Sequence, residues 1–498
     1  MSQLADTAVQ PPHAPHAVLR EKYYCLIGGE LTGAASGKTV PTLNPATGER
    51  LADVPDCDEQ DVNLAVEAAK KAYPAWRKLT PMERANYSQR FAARLRERAE
   101  TYAMLDALDG GNIIRSLRVD VEHAARMHEY FAGLATELKG ETIPANSGTF
   151  NFTLREPYGV VGRIVPFNHP IMFAASRLAA PLIAGNTVVL KCADQTPLSA
   201  LEMSHDLREI FPPGVVNVVN GTGPAAGAPL VKHPDVRRVA FTGSVEVGRQ
   251  ILRDAADGLK TISLELGGKN PMIVFRDVNL DQAVASAFQG MNYSWQGQSC
   301  GSTSRLFLHA DIHDAFLARL TERVKSIRMG MPTDDASEMG CLVSRRQFEK
   351  VMSYIEIGKQ EGAKLVIGGG KPSNPELARG HFVEPTIFDQ VTYRMRLAQE
   401  EIFGPIESVI PWRNAGELAE MANSVFYGLT ASIWSRDFPT AYRLAQEIEA
   451  GFIWINDSSR HFQGVPFGGY KQSGLGREEC LAELLGYTQI KSVNVNLA

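Results

Sequence analysis

Residues 158–167 read YGVVGRIVPF, and three runs of the same texture follow it: GNTVVLK at 185–191, GVVNVVNG at 214–221 and VRRVAFTG at 236–243. Each is a short β-branched run of the kind that forms a buried strand, and the stretches between them carry helical patterning. Strand, helix, strand repeated in this way predicts a parallel, doubly wound α/β sheet. A second series follows: NPMIVF (270–275), STSRLFLH (302–309), KLVIGGG (364–370), ESVIPW (407–412), LTASIWS (429–435) and GFIWIN (451–456). That predicts a second α/β domain, which suits a chain of 498 residues, too long for one core.

Upstream, Val62, Ala65, Val66, Ala69 and Tyr73 share one helical face. Thr80, Pro81 and Glu83 then give an N-cap, a first-turn proline and a capping box. Hydrophobic residues make up 44% and charged residues 21%, with a net charge of −5, so nothing draws the chain to nucleic acid or an anionic membrane. No run approaches the 18 or more apolar residues of a membrane span, and residues 1–20 read as a loosely ordered tail rather than a secretory signal. Six cysteines without a C-x-x-C pair point to a reducing cytoplasm and to neither disulfides nor a metal site. His309 and His313 lack the glutamate of an H-E-x-x-H motif and read as surface histidines.

The stretch SWQGQSCGSTSR (294–305) contains G-x-S-x-G, the serine-hydrolase elbow, with Cys300 next to Ser299. Its flanks decide the matter. Leu280, Ala283, Val284, Ala287, Phe288 and Met291 form an amphipathic helix before it, and a strand follows, the reverse of the order that an elbow requires. Ser299 therefore shapes the turn, and Cys300 is the candidate nucleophile. LELGGKNP (264–271) sets Glu265 between two leucines, where a raised pKa suits a general base. PFNHP (166–170) holds Asn168 between prolines, and EEIFGP (400–405) puts two carboxylates before a turn. NGTGPAAG misses G-x-G-x-x-G by one residue, while FTGSVEVG (241–248) opens a helix where backbone N–H groups can hold a pyrophosphate.

Taken in order with GNTVVLK, GQSC and PFGGYKQSGLGRE (466–478), these motifs resemble the NAD(P)-dependent aldehyde dehydrogenases from about Tyr24 to the C-terminus. The resemblance implies an aldehyde dehydrogenase-like α/β fold. A Rossmann-like cofactor domain would span 21–136 and 156–266, and a catalytic domain 267–467. A small β oligomerisation element (137–155 and 480–498) would make a homodimer or homotetramer. It also implies oxidation of an aldehyde to the acid through a cysteine thioester. Cys300 would attack, Asn168 and the Cys300 N–H would hold the oxyanion, and Glu265 would activate water. NAD is expected rather than NADP. Lys191 and Asp194 would hold the adenosine ribose, Gly243 and Ser244 the pyrophosphate and Glu401 the nicotinamide ribose, with Phe167 and Phe403 beside the cofactor. Phe167 replaces the family's usual tryptophan, and KCAD (191–194) departs from its usual ribose motif. Intact Glu265, Cys300 and Asn168 argue against a CoA-acylating semialdehyde dehydrogenase and against a non-catalytic structural relative. By position, His123, His169, Ser176, Ser294, Trp295, His461 and Phe467 would line the aldehyde tunnel. Three histidines and two serines there suggest a ring-bearing aldehyde with a hydroxyl or carboxylate, an anion binding better as pH falls toward 6.

Overall fold

The computed structural model describes residues 18–497. The expected tail falls mostly on residues 1–17, outside the described residues, whereas Arg20 within it is ion-paired to Glu202. The four runs named first form the strands Val160–Ile164, Thr187–Lys191, Val216–Val219 and Val236–Thr242, joined by Thr261–Glu265 into five parallel strands. These strands are almost wholly buried because helices cover both faces. The eight-stranded sheet is closed by antiparallel edges: Cys25–Ile27 with Glu30–Thr32 on one side, Gly474–Leu475 on the other.

The helix Glu59–Trp76 buries Val62, Ala65, Val66 and Ala69, and Pro81–Glu97 starts with the complete Thr80–Glu83 capping box. His128 ties the helix Ile114–Gly133 to its neighbours through Ser88 Oγ (2.7 Å) and the Ala175 carbonyl (3.0 Å). That helix carries Asp120 and His123 toward the helix Pro170–Ile183.

The second series builds a seven-stranded sheet in the order Lys364–Ile367, Thr386–Asp389, Ile406–Trp412, Arg305–His309, Pro271–Val274, Thr430–Trp434, Phe452–Ile455. It is parallel except at Lys364–Ile367. Thr386–Asp389 went unread because TIFD is a four-residue run flanked by proline and a polar turn. Thr488–Asn496 pairs with Thr149–Pro157, which pairs in turn with Thr142–Ile143.

Two expectations need correction. Residues 480–487 do not belong with the small sheet: Leu484 and Tyr487 pack into the first domain's core, and Glu483 approaches the buried Arg177. His313 is not a surface residue, since its ring lies between Asp314 and Asp389, each 2.8 Å away. His309 is largely covered and meets Trp412 edge-on.

Candidate active site

The strands Val160–Ile164 and Val236–Thr242 are neighbours from which the chain winds outward in opposite directions. At such a switch point a crevice opens beyond the carboxyl ends of the strands. Phe167 and Asn168 emerge there from one strand and Gly243 and Ser244 from the other. With Glu265 and Gly267 they line a cavity of about 170 Å³. Ser244 caps the 12-residue helix Val245–Ala256 by accepting from the Val247 N–H (3.3 Å), so the positive end of that helix faces the crevice. Thr242 Oγ1, buried in the same lining, has no hydrogen-bond partner. Both glycines are closely packed. A Cβ on Gly243 would fall 2.4 Å from the Phe241 ring, and one on Gly267 would fall 2.1 Å from Glu401 Oε2.

The second sheet supplies the other wall. Its Cys300 loop runs through left-handed Asn292, Gln296 and Gly297, and a Cβ on Gly297 would lie 2.2 Å from the Gly404 carbonyl oxygen. Asn270 Nδ2 donates to the carbonyls of Cys300 (2.7 Å) and Ser302 (3.0 Å) and fixes the loop after the turn. Phe403 has φ +59°, a conformation that must be held by its surroundings. Gln347 Nε2 holds it by donating to the carbonyls of Ile402 (3.0 Å) and Phe403 (2.6 Å). The Phe403 ring meets Phe167 edge-on, and the Gly268 N–H donates to Glu401 Oε1 (3.0 Å).

A second cavity, of about 290 Å³, lies on the far side of Cys300. Cys300, Glu265 and Phe173 line both cavities, so a nucleophile and a base stand at the partition between two binding spaces. Burial raises the Glu265 carboxyl well above the usual range, neighbouring Glu478 adds to this, and Arg177 opposes it. Its Oε1 has no hydrogen-bond partner. Burial and the carboxylates of Glu265, Glu401 and Glu479 raise the Cys300 thiol as well, so both groups are held above their ordinary values. Asn168 Nδ2 donates one hydrogen to the Gln298 carbonyl (3.0 Å), which sets the amide plane and leaves its second hydrogen available. No imidazole hydrogen-bonds the Ser299 hydroxyl among the described residues.

The residues singled out in the sequence divide as follows. Phe167, Asn168, Gly243, Ser244, Glu265, Cys300, Glu401 and Phe403 line the smaller cavity, and His123, His169, Trp295, His461 and Phe467 the larger. Lys191 and Asp194 stand apart from both linings, at and just beyond the carboxyl end of Thr187–Lys191, one strand along from the crevice. Lys191 is buried there and Asp194 exposed.

Ser176 and Ser294 do not reach the larger cavity. Ser176 is buried within the helix Pro170–Ile183, whose Met172, Phe173 and Arg177 face the cavity instead, and Ser294 sits in the turn Tyr293–Trp295 behind Trp295. Two of the three histidines already have carboxylate partners. His169 Nδ1 lies 2.8 Å from Asp120 and His461 Nδ1 lies 3.3 Å from Glu479, while burial lowers the pKa of His123. Protonation would balance carboxylates already present rather than create a cationic pocket.

Arg177, Glu478, Glu479, Gln347 and Lys350 went unread. For Asp120 a signal existed, since it lies three residues before His123 on one helical face. Glu478 closes the quoted PFGGYKQSGLGRE run, but nothing in its spacing told that it pairs with Arg163 and Arg177.

Comparison with known proteins agrees with this geometry. The model of the Aldehyde dehydrogenase family matches residues 32–493. The chain is 48% identical over 463 residues to aldehyde dehydrogenase tropH of Talaromyces stipitatus, covering 92% of this chain and 90% of that one. It is 42% identical over 475 residues to the putative aldehyde dehydrogenase DhaS of Bacillus subtilis, covering 95% of each. The NAD+ complex of an aldehyde dehydrogenase from Bacillus cereus superposes with a TM-score of 0.95 at 40% identity, covering 99% of this chain and all of that one.

Proposed function

Because the chain belongs to the aldehyde dehydrogenase family, and so oxidises an aldehyde to its acid, we propose that Cys300, Glu265 and Asn168 carry the reaction between the two cavities. One observation supports the assignment above the rest: Cys300 and Glu265 are shared by both linings. A group in either space can reach the thiol.

The smaller cavity suits the nicotinamide and pyrophosphate end of a dinucleotide. It offers a helix N-terminus, two closely packed glycines, the orphaned Thr242 hydroxyl and the Glu401 carboxylate. Gly243 and Ser244 would face the pyrophosphate, Glu401 the nicotinamide ribose, Phe167 and Phe403 the ring, and Lys191 with Asp194 the adenosine ribose. NAD is the preferred form on this reading, because the Asp194 carboxylate would face a 2′-phosphate. Bound NAD supplies the acceptor for the hydride that leaves the substrate carbon.

Every other step falls to the chain. The Cys300 sulfur attacks the aldehyde carbon. The oxyanion that forms is met by the free Asn168 amide hydrogen and the Cys300 N–H, an arrangement in which one donor is worth ~3–4 kcal/mol. Loss of hydride leaves a thioester on Cys300. Glu265 then takes a proton from water, the resulting hydroxide displaces the thiolate, and the acid departs. The neighbouring negative charges disfavour a free thiolate, so the Glu265 carboxylate also serves as first acceptor of the thiol proton, which it passes to solvent before hydrolysis.

The small sheet serves subunit assembly on this reading, as a homodimer or homotetramer. Its edge strand Thr488–Asn496 exposes Ile490, and the adjacent Thr149–Pro157 exposes Phe150 and Leu154. The six unpaired thiols suit a reducing cytoplasm, and no described helix is long and apolar enough to cross a membrane.

The test is stopped-flow NADH formation with a panel of aldehydes, with the product identified by mass. Acid released without CoA supports hydrolysis by Glu265. Turnover only with CoA, or none with NAD or NADP, would overturn the assignment.

A further inference from the structure

The larger cavity contains a carboxylate that the reaction does not use. Glu479 is 5% exposed yet lines the space that ends on Cys300. Its Oε2 lies 3.3 Å from His461 Nδ1 and its Oε1 3.5 Å from Arg177 Nη2, while its backbone N–H donates to Glu483 Oε2 (2.7 Å). Both side-chain contacts are at the long end of the hydrogen-bond range, so a carboxylate with about four acceptor sites retains acceptor capacity toward the cavity. When His461 Nδ1 carries the proton shared with Glu479, its Nε2 is an acceptor. Trp295 Nε1, on the same lining, is a buried donor without a partner.

The charged groups of this cluster already have partners. Arg177 serves Glu478 (2.9 Å) as well as Glu479, and Asp120 is held by His169. A cationic substituent would stand beside the Arg177 guanidinium, and an anionic one beside Glu479 and Asp120. A neutral group that both donates and accepts meets neither penalty. The walls are flat and aromatic: the Trp295 ring lies 5.0 Å from His169 and the His461 ring 4.5 Å from Phe467, centroid to centroid. The volume of about 290 Å³ lies at the small end of the ~300–1,000 Å³ typical of ligand sites, which suits one ring.

We propose that this cavity selects an aromatic aldehyde bearing a neutral ring hydroxyl, which donates to the Glu479 carboxylate, with His461 as the carboxylate's positioning partner. The inference rests on the aldehyde dehydrogenase assignment above for where the carbonyl sits. It adds which substituent is recognised, and by which residues.

The experiment measures kcat/KM for benzaldehyde, the three hydroxybenzaldehydes, their methoxy counterparts and the carboxybenzaldehydes, in the wild type, Glu479→Leu and His461→Phe. The methoxy compounds keep the ring and the oxygen but remove the donor. Calorimetric binding of the matching hydroxy- and methoxybenzamides, which cannot be oxidised, reads the same contact without turnover. The best hydroxy isomer is expected to exceed its methoxy and carboxy counterparts by about 10-fold or more in the wild type, since a site built around a hydroxyl rejects analogues lacking it. That ratio should fall to within about 3-fold in Glu479→Leu and weaken in His461→Phe, which also serves if the first variant fails to fold.

A ratio near one in the wild type, a ratio that survives both substitutions, or a best substrate bearing a carboxylate would overturn the proposal while leaving the dehydrogenase assignment intact. If no aldehyde yields NADH but the benzamides are still discriminated through Glu479, the subsite stands and the catalytic assignment falls.

Discussion

Replacing Glu265 by Gln is expected to damage catalysis and stabilise the fold at the same time. The carboxyl is 3% exposed at the end of a buried strand, burial and Glu478 raise its pKa, and its Oε1 has no partner. A carboxyl whose pKa is higher folded than unfolded leaves the folded state holding the extra proton. Stability from this group is therefore fully present below the unfolded value and is lost as pH rises toward the folded one. Each unit of such a shift is worth ~1.4 kcal/mol. Glutamine does not titrate, so Glu265→Gln should match the wild type near pH 4.5 and gain on it progressively as pH rises to 8. Guanidinium midpoints at several pH values, at constant ionic strength, would show the gap opening. The same variant should lose ~10²–10⁴-fold in steady-state turnover, the usual contribution of a general base. A surviving first-turnover burst of NADH would place the loss at thioester hydrolysis. The reasoning is refuted if the variant is no more stable than wild type at pH 8, or if the gap is independent of pH.

Cys300→Ala should abolish NADH formation while cofactor binding, followed by protein fluorescence, persists. Ser299→Ala should retain most activity, and the reverse pattern would reinstate the serine. Asn168→Ala should lower the burst rate by ~10²–10³-fold, read by stopped flow, with a loss under 10-fold counting against it as an oxyanion donor. If Asp194 faces the adenosine ribose as proposed, it would repel a 2′-phosphate, two like charges about 4 Å apart costing ~4 kcal/mol at an effective dielectric of 20 before screening. Because Asp194 is exposed, NAD should exceed NADP in kcat/KM by only ~10–100-fold at low salt. Asp194→Ser should narrow that ratio, and an equal or higher value for NADP in the wild type would contradict the reading.

The parallel strands were legible in the sequence because burial on both faces forces β-branched runs such as TVVL and VNVV, which periodicity detects directly. Cys300 was legible because the helix before it and the strand after it reject the serine elbow. The residues that join the two halves of the site were not legible. Arg177 reads as one polar break in an apolar helix, and Glu478 and Glu479 as charges in a loop. Only the tertiary contacts turn them into a buried cluster. Ser176 shows the opposite error: it shares the helical face of Met172 and Phe173, yet its short side chain is buried and absent from the lining. The histidines were legible as residues but their carboxylate partners were not, because those lie 49 and 18 positions away.

The clasp formed by Arg163 and Arg177 with the segment around Glu478 has a temporal meaning. Arg163 waits for a partner 315 residues later in the chain, and Arg177 for one 302 residues later. At ribosomal speeds of about 5–20 residues per second, that interval is ~15–60 s. Throughout it two guanidinium groups destined for full burial lack their anions, and the first sheet lacks its Gly474–Leu475 edge. The amino-terminal domain therefore cannot complete its core ahead of the rest. A nascent chain carries Glu265 and Cys300 long before it carries the residues that enclose them, so the reactive thiol is sealed into its pocket only when synthesis is nearly finished.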